Sequence, residues 1–312
     1  MASDRGPTAF VTGAAGFIGS ELVQELVARG YHVLGLARSA ESAHRLRRAG
    51  ATAVTGDLLE PGRWQDEAAA DWVFHIPPCG LAGQPRQRRA ESIAQMRARM
   101  DAHLLDAVAS GTTRRIVYVA DSSCYGPTGA RPITEDELPA SAAGARCLMP
   151  ALDRLDGYVI AGLPIVTALP GCVYGNASWF RESVVDPVLT GRHVLHFGKA
   201  GAWVTPVHVH DCARALVHLA ERGEIGGRYF LANTEPIRMH EFAQVVARLA
   251  NRPLRVWRVP AELAGLLVGR PLADYVRANA ALSNIRLRGI GFRFRYPTLE
   301  QGIEQVLSAR HE

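Results

Sequence analysis

Between residues 121 and 125 the chain sets a carboxylate, two hydroxyls and a phenol almost side by side: Asp121, Ser122, Ser123 and Tyr125. Groups of this kind transfer protons when held within hydrogen-bond reach of a reacting atom, provided their surroundings bring the pKa toward neutrality. The plainer alternative is that Asp121 caps the turn it sits in. His208 and His210 alternate before Asp211, a pattern of structural hydrogen bonding. They lack carboxylates or thiolates at ligand spacing, so no metal site is expected. Ser-His-Asp hydrolysis lacks its Gly-x-Ser-x-Gly elbow. Cys79, Cys124, Cys147, Cys172 and Cys212 are odd in number and have no Cys-x-x-Cys spacing. They read as reduced thiols of a cytoplasmic protein rather than a disulfide frame or zinc site.

Asp121 follows the apolar run Arg115–Ala120, so what positions it is the end of a strand. The organising stretch lies earlier, at Thr12-Gly13-Ala14-Ala15-Gly16-Phe17-Ile18-Gly19. It follows the short apolar run Ala9-Phe10-Val11 and opens a segment with Ile18, Leu22, Leu26 and Val27 at helical spacing, stopped by Gly30. Strand, glycine turn and helix are the context in which such glycines bind a dinucleotide. Gly13 permits the tight turn, Gly16 lets the backbone approach a pyrophosphate, and Gly19 allows close helix–strand packing. The phosphates would meet the unpaired N–H groups and positive dipole end of the helix.

A second strand, Tyr31–Leu36, ends at Arg38 and Ser39, where an acidic residue would accept from the ribose 2′-hydroxyl of NAD. With no Asp or Glu there, and a guanidinium fork that suits phosphate, NADP(H) is favoured and NAD(H) remains possible. The alternative is a solvated Arg38 stacking on the adenine. Strands at 52–55, 71–76, 115–120 and 164–169 alternate with helices at about 41–49 and 86–110. This alternation predicts an α/β fold with a doubly wound parallel sheet, whose ligands bind beyond the strand C-termini. Asp57, after the third strand, either accepts from the adenine amino group or caps a helix.

At 312 residues, with 48% hydrophobic and 21% charged residues, the chain can bury a large core. A net charge of +5 is only mildly basic, and one of its 35 cations is a lysine, Lys199, so nucleic acid is not an expected partner. The dense cluster Arg86, Arg88, Arg89, Arg97 and Arg99 includes Glu91 and Asp101 and reads as a solvated helix face. No signal-peptide pattern is present. The uncharged run Tyr158–Trp179 is broken by Pro164, Pro170 and glycines, reading as a helix end, a turn and a buried strand rather than a membrane span. The expected protein is soluble and cytoplasmic, with no membrane partner.

Taken in order, Thr12–Gly19, Gly56-Asp57-Leu58, Val73-Phe74-His75, Cys124-Tyr125-Gly126, Gly162-Leu163-Pro164, Pro170–Gly175 and Pro206–Asp211 resemble the extended short-chain dehydrogenase/reductases, the NAD-dependent epimerase/dehydratase superfamily. The resemblance spans nearly the whole chain. It implies a Rossmann domain over 1–174, completed by about 206–232, and a smaller α/β substrate-binding domain over 175–312. It also implies cofactor contacts from Ala15, Phe17, Ile18, Leu58, His75, Ile76, Pro77, Ala120, Pro170 and Val173, beside the glycines, Arg38, Ser39 and Asp57. The pocket for a small-molecule substrate would draw on Cys79, Arg146, Tyr174, Trp179, Phe180, Trp203 and His208, mostly aromatic rather than cationic. Relatives often dimerise through a two-helix face, here about 86–110 with 145–161, so a homodimer is possible.

The chain departs from the family at the catalytic centre. Relatives use Ser or Thr with a Tyr and a Lys four apart, the ammonium lowering the tyrosine pKa from near 10. Counting back from Gly162 puts that pair in Ala142–Cys147, which holds no tyrosine, and Lys199 lies in the C-terminal half. Tyr158 is about fifteen residues too far along the helix, ~22 Å at ~1.5 Å per residue. Asp121 occupies the usual serine slot, with Ser122 and Ser123 beside it; Tyr125 and Tyr174 line the pocket in relatives, and Leu169 replaces an arginine. Arg146 could hold an anion but cannot relay protons. The expected function is therefore an atypical NADP(H)-dependent reductase or dehydrogenase of a small carbonyl, alcohol or activated alkene. The alternatives are a non-redox isomerase, dehydratase or cyclase on the same scaffold, and an NADP-binding redox sensor without turnover. In the C-terminal half, 194–198 and 202–204 read as a hairpin around Lys199, with helices at 239–250 and over 260–281 and a last helix carrying Leu299, Ile303 and Val306.

Overall fold

The structure, a computed structural model, describes residues 6–77, 89–109, 111–125, 128–137, 142–197, 202–233, 235–260 and 280–309. Side chains at 89–94, 123, 124, 142–148 and 197 are not described. Cys79, Lys199 and the helices expected over 260–281 fall outside, save Pro260 and the short β15 given below.

The glycine stretch sits between β1 (Thr8–Thr12) and α1 (Phe17–Ala28), as its pattern predicts. Leu22, Val23 and Leu26 of α1 are fully buried, each burial contributing ~1.5–3 kcal/mol. There follow β2 (His32–Ala37), α2 (Ala40–Arg48), β3 (Thr52–Thr55), α3 (Trp64–Glu67), β4 (Trp72–His75), α4 (Arg89–Val108) and β5 (Arg115–Val119). A 3-10 turn at Ser122–Tyr125, β6 (Pro132–Ile133), α5 (Ala142–Ile160), β7 (Ile165–Pro170) and β8 (Cys172–Tyr174) come next. The uncharged run from Tyr158 thus resolves into the end of α5, a turn at Gly162 and β7 with β8. Among the described residues no helix is long and apolar enough to cross a membrane.

The remaining elements are a π-helical turn at Arg181–Val185 running into α6 (Asp186–Leu189), β9 (Val194–Phe197), β10 (Trp203–Val204), β11 (Pro206–His208), α7 (Val209–Arg222), β12 (Arg228–Leu231), β13 (Ile237–Arg238), α8 (Met239–Leu249), β14 (Val256–Val259), β15 (Ala281–Leu282), α9 (Ile285–Gly289) and α10 (Leu299–Ser308). The central sheet has seven strands in the order β12-β7-β5-β4-β1-β2-β3. The pairs of β1 with β2 and β4, β2 with β3, and β5 with β4 and β7 are all parallel. Strand order reverses at β1, which pairs with both β2 and β4, and that reversal is the ligand-binding crevice of doubly wound sheets.

By its contacts the chain divides into two compact units. One takes Met1–Asp121, Arg146–Leu169 and Ala213–Tyr229; the other takes Ser122–Ala145, Pro170–Cys212 and Phe230–Glu312. The second unit has its own core, in which Tyr174, Phe180, Val185, Phe242, Val246, Ile303 and Val306 are buried. The expected hairpin is not formed: β9 pairs in parallel with β14, and β10 pairs antiparallel with β13. Residues 198–201 between β9 and β10 lie outside the described residues, and β9's partner strand lies some sixty residues on, as edge pairing is a tertiary matter.

Candidate functional site

The loop between β1 and α1 has the conformation its glycines require. Gly13 has φ +63°, and a Cβ there would overlap the carbonyl oxygen of Ile76; a Cβ on Gly19 would overlap that of Gly13. Gly13 and Gly16 are exposed while Gly19 is buried, so the loop backbone is open and the helix behind it is tightly seated. Gly16 is the N-cap of α1 and supplies no side chain to its N–H groups. Open backbone donors at the start of a 12-residue helix suit a pyrophosphate. Ala15, Phe17 and Ile18 are half-buried around them.

At the end of β2, Arg38 is exposed. Ser39 is the N-cap of α2, its Oγ accepting from the Ser42 amide at 3.2 Å. Asp57 accepts from the Leu59 amide at 3.0 Å. Its carboxylate therefore closes the turn after β3, and the helix N-cap alternative fails because α3 begins only at Trp64 after Arg63. Leu58 is buried and its carbonyl lies 2.8 Å from His103 Nδ1.

The end of β4 holds an arrangement the sequence reading missed. His75 is fully buried; its Nδ1 lies 2.7 Å from Thr12 Oγ1 and its Nε2 lies 3.1 Å from Asp101 Oδ1. The same carboxylate accepts from the Tyr118 hydroxyl at 3.0 Å and from Arg154 Nη2 at 3.3 Å. Arg97 donates to the Tyr118 hydroxyl at 3.3 Å and to the Val119 carbonyl at 3.2 Å. Burial would raise the Asp101 carboxyl, but the hydrogen bond from His75, with the Arg97 charge and the Tyr118 hydroxyl, outweighs it and holds the group below its usual range. Burial pushes the Tyr118 phenol far up. Arg97 and Asp101 are therefore not part of a solvated face; only 8% of Arg97 and 2% of Asp101 is exposed, whereas Arg99 is exposed. The signal was available: Arg97 and Asp101 fall on the stripe Met100, Leu104, Leu105 and Val108, the buried face of α4.

Of the expected proton-transfer group, Asp121 lies just beyond β5 and is half-buried. Ser122 is buried and donates to the Pro170 carbonyl at 2.6 Å. Tyr125 is buried against Phe230 and donates to the Glu135 carbonyl at 3.3 Å. The Ser123 and Arg146 side chains and Cys79 lie outside what is described. Tyr158 donates to Asp106 at 2.8 Å, and burial and that carboxylate push its phenol up to about 12.

In the second unit Tyr174 and Phe180 lie wholly inside the core, packed edge-on against each other and near Phe242. The Tyr174 hydroxyl is buried without a hydrogen-bond partner, and burial pushes its pKa far up. His208 is fully buried: its Nδ1 accepts from the His210 amide at 3.2 Å, so its Nε2 carries the proton toward Gln305 Oε1 at 3.0 Å. Burial, then His210, pushes its pKa down to about 3. Asp211 accepts from the Arg295 and Tyr296 amides at 2.7 and 2.8 Å. The His208 ring, with the His210 amide, does the structural bonding their spacing suggested. Trp179 and Trp203 are half-buried; Trp179 donates to the Val173 carbonyl, and Arg238 stacks 4.2 Å over Trp203.

Comparison with known proteins agrees with this fold. The sequence model of the NAD dependent epimerase/dehydratase family matches residues 9–232. A dTDP-4-dehydro-6-deoxy-D-allose reductase from Streptomyces bikiniensis is 27% identical, covering 90% of this chain and 93% of its own. A 4-hydroxy-2-methyl-3-oxo-4-farnesyl-3,4-dihydroquinoline-1-oxide ketoreductase from Stigmatella aurantiaca is 27% identical over 90% of this chain and 86% of its own. The crystal structure of a dTDP-glucose 4,6-dehydratase from Bacillus anthracis in complex with NAD shares the fold, with TM-score 0.77, 18% identity, and 96% and 95% of the two chains covered.

Proposed function

The chain belongs to the NAD dependent epimerase/dehydratase family and is an NAD(P)-dependent enzyme, and from that premise we propose that it is an NADP(H)-dependent reductase or dehydrogenase of a small metabolite. Hydride passes between the nicotinamide and a carbonyl, alcohol or activated alkene. The observation that carries this reading is the pairing of an open glycine loop at the start of α1 with an exposed Arg38 after β2. The first receives the pyrophosphate; the second provides a planar, permanently charged fork for a 2′-phosphate. Reductases among the similar proteins support the direction of the chemistry.

Proton transfer falls to Asp121. It follows β5 and is half-buried, whereas Ser122 and Tyr125 spend their hydroxyl protons on backbone carbonyls. A non-redox isomerase, dehydratase or cyclase is the second reading, favoured by the absence of the family's Tyr-Lys pair from Ala142–Cys147. The deciding experiment follows NADPH absorbance with purified protein over a panel of aldehydes, ketones and enones. Oxidation of NADPH with at least one substrate is the expected result. Tight NADPH binding with no oxidation across the panel would overturn the reductase reading in favour of non-redox chemistry or a sensor.

A further inference from the structure

Four side chains from three strands and a helix meet beneath the dinucleotide loop, and their hydrogen bonds have one direction. The Asp101 carboxylate can only accept, so the His75 proton facing it sits on Nε2. In the neutral ring Nδ1 accepts from the Thr12 hydroxyl, and Thr12 Oγ1 in turn accepts from the Ile76 amide at 3.1 Å. Tyr118, Arg154 and Arg97 fix the carboxylate end of this chain of bonds. Every member contributing to the loop is buried: Thr12 and His75 are fully so, and Asp101 is 2% exposed. Thr12, His75 and Asp101 line up as in a nucleophilic relay, but a hydroxyl with no exposure and an amide already bound to it attacks nothing. What the chain of bonds does reach is backbone. Ile76 directly follows β4, and its carbonyl lies against Gly13, the residue after Thr12.

We propose that His75 and Asp101 are positioning residues for the dinucleotide, holding Ile76, just after β4, against the glycine loop through Thr12. This rests on the dinucleotide reading of that loop. A ring locked in one tautomer by a buried acceptor is a rigid strut, and preorganised backbone binds its ligand without the cost of ordering it. Removing the strut frees the Ile76 amide and leaves the Gly13 turn with one wall loose.

The test measures NADPH affinity by fluorescence titration for the wild type, Thr12→Val, Thr12→Ser and Asp101→Asn, with circular dichroism to verify folding. Thr12→Val should weaken NADPH by roughly tenfold or more, because the amide and the imidazole each lose a partner. Thr12→Ser keeps the oxygen and should stay within about threefold, while Asp101→Asn should weaken binding by roughly fivefold to tenfold. In 15N-labelled wild type the His75 ring, assigned by its loss in His75→Gln, should be the Nε2–H tautomer and its Nδ1 signal should move on NADPH addition. Asp101→Asn should abolish that response. If Thr12→Val does not fold, Asp101→Asn and the serine rescue decide. Folded variants that bind within about twofold of wild type, with a His75 signal indifferent to NADPH, would overturn the inference alone. A wild type that binds neither NADPH nor NADH would overturn the dinucleotide reading and the inference with it.

Discussion

Just past β5, Asp121 is the residue proposed for proton transfer, and it is the partly exposed member of its group among the described side chains. General acid–base catalysis contributes ~10²–10⁴-fold. Asp121→Asn should therefore lower kcat by about 100-fold while leaving NADPH affinity in place. Tyr125→Phe, which removes a buried hydroxyl donating to the Glu135 carbonyl, should stay within about threefold of wild type in kcat. Full activity in both variants would remove Asp121 from the chemistry. His208 makes a different prediction. Its folded pKa is depressed to about 3, chiefly by burial, against ~6.5 unfolded. Between those values the unfolded chain binds a proton that the folded chain refuses. Stability is thus present above about pH 6.5 and falls by up to ~1.4 kcal/mol per pH unit as pH drops toward 3. In His208→Gln the melting temperature should decline less steeply between pH 6.5 and 5, with His196, also depressed by burial, contributing what slope remains. An unchanged slope would contradict the neutral buried imidazole.

Elements make their own demands, and α10 shows one clearly. Thr298 and Gln301 form a reciprocal capping box that starts the helix, and Gly302 then presents bare backbone to Tyr174, whose hydroxyl occupies the place a Cβ would take. Gly302→Ala should cost ~1–3 kcal/mol by overpacking, read as a fall in melting temperature of several degrees. Adding Tyr174→Phe should recover part of the loss, because it removes an unpartnered buried hydroxyl along with the clash. Equal melting temperatures for Gly302→Ala and wild type would show that α10 seats elsewhere. The same scale explains which elements were readable in the sequence. The strand and helix of the glycine motif and β3 announce themselves by local pattern, and the structure has them within a residue or two. β9 and β10 do not: a turn signal between them suggested a hairpin, while their partners β14 and β13 lie further along the chain.

For the whole molecule, the parallel, doubly wound sheet followed from the alternation of strands and helices, because short right-handed connections constrain its topology. The buried bonding of Thr12, His75, Asp101, Tyr118 and Arg97 did not follow. Its members come from separate elements, and charged residues such as Arg97 and Asp101 look solvent-bound until the helix face they share with Leu104 and Leu105 is considered. The catalytic residue is hard to read for a related reason: the usual Tyr-Lys pair is absent, and a substitute need only meet in space. Nucleotide choice is the claim on which the functional account rests, and it is tested by titrating wild type and Arg38→Ala with NADPH and NADH. Wild type should bind NADPH more tightly than NADH. Arg38→Ala should show a loss of roughly tenfold or more for NADPH, the scale of a charged hydrogen bond, with NADH nearly unchanged. Equal losses for the two nucleotides, or a wild type that prefers NADH, would contradict that claim.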